Sequence, residues 1–172
     1  MADNGRLVFS LFTREVGISI LVGLCCGILV LLIITFSGNL WMDAQVAWAG
    51  GNMVNWGMLP YLQGFGLGIL VTILAGVLTA MICSEWVKNP SRLAVLGGVT
   101  GLVMALAPWN PTRYLFLAIE TQYRYFPDIF LQTVLTIMAG MILLTPVAAA
   151  SAYCYSILVS ARLSGWLNRK TN

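Results

Sequence analysis

Four long apolar stretches dominate the chain, and none contains Asp, Glu, Lys or Arg. They run Val16–Phe36, Leu62–Cys83, Leu93–Trp109 and Leu131–Ser160. A helix rises about 1.5 Å per residue, so the first reaches roughly 31 Å, enough for a hydrocarbon core of about 30 Å. The third is short. It gains a turn if its helix opens at Pro90, because proline suits the first helical position. The fourth exceeds a bilayer and should project beyond it or bend. The pattern predicts an all-α integral membrane protein, one domain over residues 1–172. Its four transmembrane helices would be 16–36, 62–83, 90–109 and 131–160, joined by outer loops 37–61 and 110–130.

Lys and Arg set the expected orientation. Arg6 and Arg14 precede the first span, Lys88 and Arg92 link the second to the third, and Arg162, Arg169 and Lys170 follow the fourth. Only Arg113 and Arg124 fall on the other side. The positive-inside rule then places both termini in the cytoplasm. The net charge of +3 reads as topology rather than as a nucleic-acid patch, and a bacterial plasma membrane is the expected location. Ala47-Trp48-Ala49 resembles a signal-peptidase site. It lies well past an apolar run longer than a signal core, so the first span is read as retained. Gly5–Glu15 is a candidate interfacial lead-in.

Both outer loops are rich in aromatic residues, including Trp41, Trp48, Trp56, Tyr114, Tyr123 and Tyr125. Such rings favour the headgroup level, so short interfacial helices are expected there. Glu120 and Arg124 have i,i+4 spacing for a pair on such a helix. Pro127 can open the last span, with Asp128 complementing its positive end. Arg113, Glu120, Arg124 and Asp128 are the candidate outer-face residues that could handle a headgroup.

Small residues mark helix-packing surfaces. Gly64, Gly68, Thr72, Gly76 and Ala80 form one stripe on the second span; Gly23 and Gly27, and Gly97 and Gly101, form patches on the first and third. Helices in bilayers associate through such close backbone contact. The stripes serve packing within this chain or an interface with another subunit. Thr72-Ile73-Leu74-Ala75-Gly76 matches Thr136-Ile137-Met138-Ala139-Gly140, which suggests two tandem two-helix halves sharing an axis along the membrane normal. Pro146 should kink the fourth span, with Thr145 helping the freed backbone.

Composition agrees with the pattern: 59% hydrophobic and 9% charged, against about 25% charged in soluble domains. The chain has no histidine, the commonest ligand for haem, zinc and copper and the usual base near neutral pH. All six carboxylates lie outside the spans, which argues against a proton-driven carrier. The four cysteines lie within spans without a Cys-x-x-Cys pair, and read as buried small apolar residues. Asn89-Pro-Ser and Asn110-Pro-Thr resemble glycosylation sites, but the central proline excludes both. Thr72, Thr79, Thr100, Thr133 and Thr136 can bond to their own backbone or across helices. Gln63 and Gln132 are the candidate polar pair between returning helices, and the remaining candidate ligand contact. No catalytic residue, metal site or cofactor is expected.

The expected function is therefore a non-catalytic membrane subunit that packs in and stabilises a larger transport or energy-converting complex. A small homo-oligomeric channel or carrier is the alternative, and a lipid-, quinone- or pigment-binding protein the second. Expected partners are membrane lipids with other membrane subunits or further copies of the chain.

Overall fold

In hydrocarbon each backbone N–H and C=O must find its partner within the chain, and a helix achieves this within a single segment. The computed structural model describes residues 14–33, 35–36, 59–107, 110–123 and 129–170, and among these it is all-helical, with no strand. The helices are α1 (Arg14–Ile33), α2 (Leu59–Cys83), α3 (Pro90–Leu106), α4 (Thr112–Tyr123) and α5 (Ile129–Lys170). Among the described residues, three stretches are long and apolar enough to cross a membrane: Arg14–Ile33, Tyr61–Cys83 and Phe130–Val159. The chain thus has the character of a multi-pass membrane protein.

At 17 residues α3 is shorter. It stops before the expected Trp109 because Ala107 is already extended, at φ −74° and ψ 148°. Pro108 follows, and the ring of a proline disfavours helical geometry in the residue before it. Eight of the 17 residues of α3 are buried: Leu93, Leu96, Gly97, Gly98, Thr100, Gly101, Met104 and Ala105. It packs more extensively against α5 than against α2. A Cβ on Gly23 of α1 would lie 2.9 Å from the carbonyl oxygen of Thr100, which places α1 on α3 as well.

Contacts along the helices fix their directions. Gly97 lies against Ala148 and Ala152, Gly101 against Leu144, and Gly140 against Asn110, so α5 runs antiparallel to α3. α2 is antiparallel to α3 too, with Gly68 against Pro111 and Thr79 bonded to Thr100. At one end, Arg14 sits over Trp86, 4.5 Å from the ring centroid. There Val16 and Ile18 pack on a cluster of Cys83, Val87, Leu93 and Leu96. α4 lies at the other end, against α2 and the start of α5.

The stripe of α2 is buried along its length and is used within the chain. A Cβ on Gly64 would lie 3.3 Å from the ring of Tyr114, while Gly68 faces Pro111 and Gly76 faces Ser151 and the backbone of Ala148. Thr72 donates to the Gly68 carbonyl and Thr136 to that of Gln132, at 2.8 Å each, so both back-bond within their own helix. The matching strings around them have different neighbours: Gly76 meets α5, whereas Gly140 meets Asn110.

α5 has 42 residues and runs through Pro146, a length of roughly 63 Å. The expected role of Thr145 is not realised. Its hydroxyl is buried without a hydrogen-bond partner and leaves the carbonyl freed by proline to other groups. The cysteines also divide: Cys26 and Cys83 are buried as expected, whereas Cys25 and Cys154 are exposed on outward faces. Those faces are broadly apolar. Only 22% of the α5 window is buried, with Phe130 and Ile142 each 74% exposed. Soluble monomers rarely expose contiguous apolar patches beyond a few hundred Å².

Candidate functional site

The corner between α3 and α4 holds the densest buried polar cluster among the described residues. Asn110 initiates α4. Its side-chain oxygen accepts from the Thr112 N–H at 2.9 Å, capping the turn at Pro111 that leads into α4. Its amide nitrogen donates to the carbonyls of Ala105 at 2.7 Å and Thr136 at 3.2 Å. The Thr112 hydroxyl lies 2.8 Å from both the Asn110 side-chain oxygen and the Thr136 carbonyl; its single proton serves one acceptor at a time. Asn110 is 2% exposed. It reaches α5 only because Gly140 has no side chain: a Cβ there would collide with the Asn110 amide. One side chain thereby ties together the end of α3, the start of α4 and the first half of α5.

A cavity of about 320 Å³ opens beside this clamp. Arg113, Gln132 and Thr133 contribute polar groups to its wall, with Thr136 and Asn110 behind them, and Leu106 and Ile137 contribute apolar surface. No carboxylate lines it among the described residues. Arg113 is exposed, one residue beyond the clamped Thr112. Burial pushes the Tyr114 phenol up from its ordinary range, while the charge of Arg113 opposes that shift.

Chemically the corner is a scaffold plus one cation. The polar atoms of Asn110 are engaged by the backbone of three elements, so it holds shape rather than substrate. Among the described residues no three His, Cys, Asp or Glu come together as a metal site. Comparisons with protein-family models, with curated proteins and with solved structures find no match to this chain.

Of the residues singled out from the sequence, the cavity gathers Arg113 and Gln132 but not Gln63, which is exposed on α2. The Glu120 side chain, Arg124 and Asp128 lie outside the described residues, as does most of loop 37–61. Asn110 carries the corner, yet as sequence it drew notice only as an excluded glycosylation site. The usable signal was the order Asn-Pro-Thr, an N-cap followed by proline. Asn89-Pro90-Ser91 repeats it: the Asn89 side chain accepts from the Ser91 N–H at 2.9 Å and opens α3.

A second polar hub lies in the bundle interior. The hydroxyls of Thr79 and Thr100 are 2.8 Å apart. Thr100 also reaches the carbonyls of Leu96 at 3.1 Å and Ser19 at 3.2 Å, and Thr79 reaches that of Ala75 at 2.9 Å. These neutral hydroxyls bond α1, α2 and α3 to one another.

Proposed function

We propose that this chain is a non-catalytic integral membrane subunit that packs within a larger membrane complex of the transport or energy-converting kind and stabilises it. In this reading it crosses the plasma membrane four times, with α3 as the third crossing and both termini cytoplasmic. The short α3 suits that role because eight of its 17 residues are covered by protein, so it depends less on matching the hydrocarbon thickness by itself. The distribution of Lys and Arg supports the orientation.

The observation that carries the proposal is the surface of α5. The helix is roughly 63 Å long, and its apolar window is 22% buried. The small-residue stripes are already used inside the chain, and the buried threonine hydroxyls in the interior bond mainly to backbone. What remains for association is a long, thinly covered apolar helix that outreaches the bilayer.

The test is purification in mild detergent through a tag after Asn172, followed by the intact mass of the assembly. A stoichiometric assembly with other membrane proteins is the expected result. A homo-oligomer alone would favour the channel or carrier reading, and a monomer would sink the subunit reading. For orientation, a reporter active only in the cytoplasm is expected to function when fused after Asn172; an inactive fusion would reverse the assigned sides.

A further inference from the structure

We infer that the cavity at the α3–α4 corner binds the phosphate of an anionic lipid headgroup. Arg113 supplies a positive charge to the wall, and no carboxylate offsets it there among the described residues. A guanidinium presents a planar fork of donors that matches phosphate oxygens. Gln132 and Thr133 bring amide and hydroxyl groups to the same wall. A volume of about 320 Å³ lies at the lower end for small-ligand sites, roughly 300–1,000 Å³. It accommodates a headgroup and leaves the acyl chains outside.

The surroundings favour a lipid over a soluble ester. Leu106 belongs to the cavity wall and is also 55% exposed. On α5 the exposed apolar residues Phe130 and Leu131 precede the wall residues Gln132 and Thr133. Polar wall and apolar exterior therefore adjoin, as a headgroup and its chains require. The clamp made by Asn110, Thr112 and Thr136 holds the start of α4 against α5, so the backbone at Arg113 is fixed before any ligand arrives. Preorganisation of this kind lowers the ordering cost of binding. The outer leaflet follows from the orientation proposed above; binding itself does not depend on that orientation or on a partner complex.

The test uses the full chain alone, in nanodiscs of phosphatidylcholine with and without phosphatidylglycerol. After transfer to mild detergent, native mass spectrometry counts the lipids retained. Wild type is expected to retain phosphatidylglycerol in preference to phosphatidylcholine. Arg113→Gln is expected to lower that affinity about tenfold, the scale of one charge-assisted contact, and Arg113→Lys to restore part of it. Ile137→Trp, which fills the cavity and leaves the charge in place, should lower retention as well. Arg113 is exposed, so its variants should keep wild-type helix content by circular dichroism. Equal retention of the two lipids, or retention unchanged in Arg113→Gln, would overturn the site. Glycerol phosphate binding more tightly than phosphatidylglycerol would overturn the lipid assignment in favour of a soluble ester.

Discussion

The two asparagine caps share a sequence pattern and differ in what surrounds them. Asn89 is exposed and accepts one hydrogen bond from the start of α3. Asn110 is buried and also donates to the carbonyls of Ala105 and Thr136. Asn89→Ala is expected to cost about 1 kcal/mol, the usual worth of a cap. Asn110→Ala also strands buried backbone groups and is expected to cost about 2–4 kcal/mol. Asn110→Asp should do no better, because a carboxylate oxygen would replace the donor that faces two carbonyls. Thermal unfolding in mild detergent, followed by circular dichroism, checks all three; equal shifts for Asn89→Ala and Asn110→Ala would remove the clamp from the account. The asparagine-proline order was readable as a helix start at both sites. That one cap would be buried against α5 was not readable, because it depends on Gly140, thirty residues further along.

Helix packing divides the glycines into those at crossings and those that face outward. Gly76 and Gly97 both lie against the backbone of Ala148, so neither neighbour can give way by a rotamer change. A Cβ on Gly66 meets nothing within 4 Å. Gly66→Ala is therefore expected to stabilise the chain by about 0.5–1 kcal/mol, the helix-propensity gain. Gly97→Ala is expected to destabilise by about 1–3 kcal/mol through overpacking, with Gly97→Leu worse. Gly68→Leu should disrupt folding of the isolated chain, since the helix meets Pro111 there. Unfolding midpoints that rank these variants by size alone would contradict the assignment of crossings. Four-residue spacing of small side chains announced the packing surfaces. It could not say which helix each one meets: Gly64 and Gly68 meet the α4 region and Gly76 meets α5. Loop aromatic content raised the expectation of a short helix before α5, and a helix, α4, occupies Thr112–Tyr123.

For the whole molecule, the apolar runs that predicted α1, α2 and α5 place those helices with broad outward surfaces, while α3, the shortest run, has eight of its 17 residues buried. Length and hydropathy report exposure to lipid, which is why they identify the outer helices best. A charge on the outward surface should be costly in this setting. Ile142→Lys is expected to impair membrane integration by about 3 kcal/mol, the insertion scale for a lysine near mid-span, measured as loss of the alkali-resistant membrane fraction. Full retention in that fraction would mean that Ile142 faces water or a polar partner. The packing of α5 on α3 also governs how the protein is made. Ribosomes deliver α1, α2 and α3 before α5 exists, yet Gly97 and Gly101 are covered by residues of α5. During synthesis the backbone of α3 is therefore uncovered on the side that α5 will take, and stays so until Ala152 emerges.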